Sequence, residues 1–447
     1  MILRGSAGTG KTSLSGAIVR TLLQIRQKVM LLAPTGRAAK VFSLGSGAPA
    51  YTIHRRIYRE KAFAGVDGQF GLNDNLYTDT LFMVDEASMI ANMGLGGTTF
   101  GSGCLLDDLV KFVYQGHNDR LLLIGDKAQL PPVGEEESPA LSASVMEGYG
   151  LKVYECDLNE VLRQSQSSGI LYNATLIRQM ITHDAVTGLP LIRFKGFADI
   201  VMLPGAELVE SLGDSYHHVG MDETMVITRS NKRANIYNNG IRNMVLDREE
   251  ELSSGDMLMI VKNNYFWTEK EKKESGEGSA GAVPAFLANG DRAKVLRVSN
   301  YIELYGFRFA TLLLQLPDYD DYEMQVTGML DTLQSEAPAL THEQQEELFR
   351  QVEEDYQHFV PLKADRMKSI RQDAYFNALQ IKYAYAVTCH KAQGGQWAHV
   401  YVDQGYMTDD MLTPDYIHWL YTAFTRATDK LFLVNWPKEQ TCEPTDL

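Results

Sequence analysis

The chain reads as an α/β protein with two parallel-sheet domains and a small β domain inserted into the second. Three features predict this. The stretch Gly5-Ser6-Ala7-Gly8-Thr9-Gly10-Lys11-Thr12 joins an apolar strand end to a helical pattern and matches G-x-x-x-x-G-K-[ST]. Apolar strands then alternate with helical stretches, the pattern of parallel sheets. Over residues 247–376 the alternation stops, and the apolar runs take on an antiparallel character. The expected domains are residues 1–145, then 146–246 together with 377–447, and the insertion 247–376.

The first stretch carries the most specific chemistry. Glycines let the backbone curl so that successive N–H groups face phosphate oxygens. Lys11 adds a point charge for the β- and γ-phosphates, and the Thr12 hydroxyl can ligate Mg²⁺. Leu14, Ala17, Ile18, Thr21, Leu22 and Ile25 mark the face on which the following helix is expected to pack. Its N-terminus would favour the phosphates through unpaired N–H groups and the helix dipole. Few residues precede the loop: either the sequence is trimmed there or an N-terminal segment is missing.

Composition narrows the function classes. The chain has 447 residues, 45% hydrophobic and 22% charged, which excludes a disordered protein and suits two or three domains. The net charge of −15 argues against non-specific nucleic-acid binding over the whole surface but leaves room for a local basic channel. Cys104, Cys156, Cys389 and Cys442 are widely spaced, so a zinc or iron–sulfur site is not expected. His217-His218 has no partner motif and reads as a solvated helix. With no signal peptide and no apolar run of spanning length, a cytoplasmic protein without membrane association is expected.

Taken in order, Val29 to Ala33 is a strand that leads into Pro34-Thr35-Gly36-Arg37, a helix start suited to a phosphate. Residues 59–79 are polar and Gly-rich and read as a protruding hairpin, with Phe63 and Phe70 as apolar points. Leu81 to Ser88 is a strand ending in Asp85 and Glu86. Functional groups collect at such strand ends in open α/β sheets. Asp85 suits Mg²⁺, and Glu86 suits activation of an attacking water. Leu121 to Ile124 ends in Gly125 to Gly134, where Gln129 could touch a γ-phosphate and its water.

The second domain alternates Ile170 to Ile181, Ile200 to Leu203, Glu207 to His217, Met225 to Thr228 and Asn231 to Arg242. In the insertion, Met257 to Val261, Asp291 to Val298 and Phe309 to Leu316 are expected strands. Thr268 to Gly281 is an expected mobile loop. Thr341 and Gln344 form a capping-box pattern opening an acidic helix. Strand, helix and strand resume from Ala384 to Val434.

The order of motifs resembles the superfamily 1 DNA helicases, most closely the RecD-like group that moves 5′ to 3′. The matching pieces are GSAGTGKT, APTGRAAK, TIHR, VDEAS, GDKAQLPPVG, LNEVLRQ, VTCHKAQGGQ and YTAFTRA, spread from residue 5 to residue 427. The resemblance implies two RecA-like domains with ATP between them and an SH3-like β insertion. It implies ATP and Mg²⁺ at residues Gly5 to Thr12, Asp85 and Gly394, with Lys11, Glu86 and Gln129 catalytic. Arg163 and Arg426 match the arginine fingers. Thr35, His54, Thr388, His390 and Lys391 match positions on single-stranded DNA, and the hairpin with Phe70 or Phe63 at its tip is the expected wedge at a strand–duplex junction. A place in a repair or recombination complex would fit. The adenine-reading glutamine found upstream of the loop in many members lies outside this sequence. Two other readings stay open. One is an RNA or mixed-substrate helicase, since backbone grips carry no sequence information. The other is a P-loop phosphotransferase, which leaves Gln129, Arg163 and Arg426 unexplained.

Overall fold

The computed structural model describes residues 1–64, 67–94, 100–158, 167–182, 188–275, 283–284, 286–408 and 411–442. They divide into two compact units. One comprises Met1–Tyr58, Leu72–Ala234 and Ala386–Leu447; the other comprises Arg59–Gly71 and Asn235–Tyr385.

The first unit holds two sheets. Its first half runs β1 (Ile2–Gly5), α1 (Lys11–Gln24), β2 (Lys28–Ala33), α2 (Gly36–Ser46), β3 (Ala50–Thr52) and α3 (Ile53–Ile57). The hairpin β4 (Tyr58–Ala64) and β5 (Asp67–Leu72) follows, then β6 (Thr80–Val84), α4 (Leu105–Gln115), β7 (Arg120–Gly125), α5 (Ala143–Gly148) and β8 (Glu155–Leu158). The sheet order is β3-β2-β6-β7-β1-β8, and every pairing is parallel. Because β8 pairs with β1, the first sheet extends past the expected boundary at residue 145. Leu3, Val19, Leu31, Phe42, Met83 and Ile124 form its core, each side chain contributing roughly 1.5–3 kcal/mol by burial.

The buried side of α1 overlaps the expected one at Ile18 and Leu22, which pack against this core, and differs elsewhere. Ser15, Gly16 and Val19 are buried, whereas Leu14 and Ile25 are exposed. The reason is close helix packing: a Cβ on Gly16 would come within 2.3 Å of the Gly45 carbonyl oxygen on α2. The contact selects the smallest residues of α1, a preference that apolar periodicity does not register.

The second sheet follows α6 (Gly169–Thr182) and contains β9 (Ile200–Leu203), α7 (Leu208–His218), β10 (Thr224–Thr228) and α8 (Asn231–Gly240). The other unit begins at Asn235, within α8. It has β11 (Met257–Ile260), α9 (Phe266–Ser275), β12 (Arg292–Leu304), β13 (Phe307–Leu316), β14 (Tyr322–Met329), α10 (His342–Gln357), α11 (Lys363–Gln372) and β15 (Leu379–Tyr383). The chain then returns through β16 (Ala386–Thr388), α12 (Cys389–Ala392), β17 (Trp397–Asp403), α13 (Pro414–Phe424) and β18 (Ala427–Val434). The order β16-β10-β17-β18-β9 is again wholly parallel.

In the other unit β11 to β15 close into a barrel. Strand β15 belongs to it, so the return to the parallel sheet comes at Ala386 and not at residue 377. Strand β14 directly follows the acidic residues Asp318, Asp320 and Asp321. Helix α9 occupies the start of the expected mobile loop at Thr268 to Gly281. The capping box of α10 is present, with Thr341 and Gln344 bonded reciprocally. Leu348 and Val352 of α10 pack with Ile370 of α11 against Phe307, Phe309 and Met329. The acidic helix is thus built into the barrel's apolar end.

Candidate nucleotide and nucleic-acid site

Parallel strands place their carboxyl ends on one edge, so the loops after β1, β2, β6 and β7 converge. The loop Gly5 to Thr12 turns into α1 through Gly10, whose φ of 83° serves as the left-handed N-cap. The Lys11 ammonium donates to the carbonyls of Gly5 (2.5 Å) and Ser6 (3.2 Å) and lies 3.9 Å from the Asp126 carboxylate. Ser6 and Thr9 are buried, and the Thr9 hydroxyl donates to the Ser6 carbonyl.

At the end of β6, the Glu86 N–H donates to the Asp85 carboxylate at 2.9 Å, and Glu86 takes a left-handed φ of 51°. Burial, then the adjacent Glu86 charge, push the Asp85 carboxyl up to about 7, against the pull of that N–H and of Lys11. One Glu86 carboxylate oxygen (Oε2) is buried without a hydrogen-bond partner, as is the Gln129 carbonyl oxygen (Oε1). Orphaned buried acceptors next to a lysine-bearing phosphate loop are the arrangement that a water and a hydrated cation would satisfy. Thr12 and Asp85 present the hard oxygen ligands that Mg²⁺ prefers, so these residues fit that ion.

The second sheet reaches this edge through α13 and α6. The buried Tyr421 hydroxyl accepts from the Ala7 N–H at 2.9 Å and donates to the Asp126 carboxylate at 2.7 Å. Burial, then the Asp126 charge, raise the phenol well above its ordinary range, which keeps it a neutral donor. Leu130 N–H donates to the Thr422 hydroxyl (2.8 Å), His418 Nδ1 lies 2.9 Å from the Ala128 carbonyl, and the Gln393 amide donates to the Leu130 carbonyl (2.7 Å). The loop after β7 is therefore bonded to the second sheet's segment at Asp126, Ala128 and Leu130. From α6 the Arg178 guanidinium donates to the Ser6 hydroxyl. Tyr421, Thr422 and Gln393 stand in stretches the sequence had marked, but nothing in their spacing gave them these partners. Arg178 carried no signal at all, as a lone cation on an ordinary amphipathic helix.

Arg426 sits differently from expectation. It is buried and donates to the carbonyls of Thr422 and Gly395 and to the Thr425 hydroxyl. All of these partners lie in the second sheet's own segment. In the turn after α12 the Gly395 carbonyl accepts from this guanidinium, and the Gly395 N–H donates to the Ala392 carbonyl. Arg163 lies outside the described residues.

The expected DNA contacts fall into two neighbouring groups. Thr35 caps α2, its hydroxyl accepting from the Ala38 N–H at 3.2 Å. Gly394 is next to it and not at the phosphate loop, since a Cβ there would lie 3.1 Å from the Thr35 hydroxyl. Arg37 donates to the Gln396 carbonyl (2.6 Å) and lies over the Trp397 ring at 4.5 Å. Thr388 precedes α12, with Lys391 half-buried and His390 exposed. His54 is instead packed edge-on against Phe100, ring centroids 5.1 Å apart, and burial lowers its pKa to about 4. It is a neutral packing group. Phe70 is not at the hairpin tip either. It lies within β5 and packs at 5.0 Å on Tyr265, which stacks at 4.7 Å on Phe286. Apolar rings find a satellite core more readily than solvent. The Phe63 side chain lies outside the described residues.

A family model described as an AAA domain matches residues 1–187, and one described as a UvrD-like helicase C-terminal domain matches residues 383–434. Protein MJ1519 of Methanocaldococcus jannaschii is 35% identical over 145 residues, 30% of this chain and 11% of that protein. The ATP-dependent RecD2 DNA helicase of Deinococcus radiodurans is 32% identical over 134 residues, 30% of this chain and 16% of that helicase. The chain spans a small share of the length of either relative. A structure of the Pif1 helicase from Bacteroides with ADP-AlF3 and single-stranded DNA aligns over 99% of this chain and 90% of that one, with a TM-score of 0.48 and 14% identity. No described helix is long and apolar enough to cross a membrane. The first match contains the phosphate loop, Asp85, Glu86 and Gln129, and the second contains Thr388 to Gln396 and Tyr421 to Arg426. In sequence the two ends of the chain are thus similar to an AAA domain and to the C-terminal domain of UvrD-like helicases.

Proposed function

We propose that the chain is an ATP-dependent DNA helicase that steps 5′ to 3′ on single-stranded DNA and opens strand–duplex junctions. The observation that carries the reading is the network joining the phosphate loop to the second sheet through Tyr421 and Asp126. A phosphotransferase has no use for a second α/β sheet wired to its phosphate loop, whereas a motor requires one. The two parallel sheets are read as RecA-like domains and the barrel as the SH3-like insertion.

In this reading Lys11 and the loop N–H groups hold the β- and γ-phosphates. Thr12 and Asp85 hold Mg²⁺, which neutralises phosphate charge when bound. Gln129 orients a water. Glu86 takes its proton while the water oxygen bonds to the γ-phosphorus, and the bond from that phosphorus to the β–γ bridging oxygen breaks. The products are ADP and phosphate. Arg426 holds the Gly395 turn beside Thr35, and Arg163 is assigned to the cleft on the family resemblance. Changes at the loop reach Thr388, His390 and Lys391 through Leu130, Gln393 and Thr422, so hydrolysis alters grip on the DNA backbone. The direction of stepping rests on the RecD-like character of the motifs.

Two measurements test this. ATP hydrolysis should rise strongly with single-stranded DNA and less with RNA. Matched duplexes should open from a 5′ tail; opening only from a 3′ tail refutes the direction, and hydrolysis indifferent to nucleic acid refutes the motor.

A further inference from the structure

We propose that Arg178 is a second-sheet ligand of the nucleotide's terminal phosphate, an inference that rests on the ATP-site reading above. Its guanidinium donates to the buried Ser6 hydroxyl inside the phosphate loop. The Lys11 ammonium lies 3.2 Å from the carbonyl of the same Ser6. Two cations from two different sheets therefore converge on one residue of the loop.

Five other arginines give the contrast, although Arg20 and Arg426, like Arg178, are bonded to neutral groups. Arg4, Arg233, Arg242, Arg248 and Arg308 each pair with a carboxylate at 3.1 Å or less. Among the described residues Arg178 pairs with none; its one hydrogen bond is to a neutral hydroxyl, and its charge is felt by the Tyr421 phenol. Two cations at one loop residue favour an anion in addition to the Asp126 carboxylate, which lies 3.9 Å from the Lys11 ammonium. The anion this loop is built for is a phosphate. A guanidinium has further donors in a rigid fork, which suits a second pair of bonds to phosphate oxygens. Lys11 serves the β/γ end of the chain of phosphates, so the oxygens nearest Ser6 belong to the terminal group. Arg426 cannot fill this role while its donors are bonded to Thr422, Gly395 and Thr425.

The test uses the full chain with Arg178→Ala, Arg178→Lys and Lys11→Ala. Two fluorescent probes, a non-hydrolysable ATP analogue and ADP, are titrated at equilibrium, and DNA-stimulated hydrolysis is measured alongside. Arg178→Ala should weaken the triphosphate about tenfold or more, the loss expected for a charge-assisted bond, with ADP affinity changed by less than about twofold. Its kcat should fall by about 10²-fold or more, in the direction of arginine-finger losses. Arg178→Lys keeps the charge without the fork, so it should recover triphosphate affinity and little turnover. It also serves if the alanine variant does not fold. Equal losses for ADP and triphosphate would assign Arg178 a structural role and overturn the inference, as would wild-type affinity and turnover. Lys11→Ala separates the two levels. If it abolishes nucleotide binding while Arg178→Ala has no effect, this inference alone fails. If Lys11→Ala binds nucleotide normally, the ATP site itself is wrong.

Discussion

The Tyr421 hydroxyl donates to the Asp126 carboxylate across 2.7 Å, joining a helix of the second sheet to a strand end of the first. The same oxygen accepts from the Ala7 N–H, so one buried atom touches the phosphate loop and the loop after β7 at once. A phenol is suited to this because it can accept and donate together.

Tyr421→Phe removes that atom and leaves the Ala7 N–H and a buried Asp126 oxygen each short of a partner. Unfolding free energy should fall by roughly 1–3 kcal/mol, the cost of leaving a buried polar group unsatisfied. Stimulation of hydrolysis by DNA should shrink. Denaturant unfolding and ATPase assays read the two effects, and a phenylalanine variant with wild-type stability and stimulation would remove Tyr421 from the coupling path.

Glu86→Gln keeps the shape at the end of β6 and loses the base. It should bind ATP and Mg²⁺ yet turn over at least about 10²-fold more slowly, the lower range for general-base contributions. Single-turnover hydrolysis beside equilibrium binding checks this. Normal turnover would take Glu86 out of the mechanism.

Phe70 and Tyr265 tie the hairpin to the barrel's own aromatic stack. Phe70→Ala should loosen that anchor at about 1–3 kcal/mol of packing. If the hairpin is the strand-separating wedge, the variant should reduce duplex opening more than DNA-stimulated hydrolysis, since the ATP site is untouched. Parallel loss of both activities would make the segment purely structural.

Asp291 gives a pH prediction for the barrel. Burial pushes its carboxyl up to about 7, although the Tyr319 hydroxyl and the Ala288 N–H both donate to it. Its other oxygen has no partner. Above about pH 4 the unfolded chain releases this proton while the folded chain retains it. Stability is thus full below pH 4 and declines until about pH 7. Asp291→Asn should flatten that decline in urea-unfolding curves, and an unchanged pH slope would contradict the assignment.

The sequence alone was enough for the phosphate loop, the acids after β6 and the alternation of strands and helices. These are local: their residue types follow from what the backbone does within a few residues. Lys11, Glu86 and the capping box at Thr341 could be read for that reason. Partnerships across hundreds of residues could not. Tyr421 meets Ala7 and Asp126, and Arg178 meets Ser6, only because two sheets bring their edges together. The packing of α1 through Gly16, the packing of Phe70 on Tyr265 and the membership of β8 and β15 were likewise decided by tertiary contact. Hydrophobic pattern records whether a residue is buried. It does not record against what, and the missed positions are those where the identity of the neighbour sets the role.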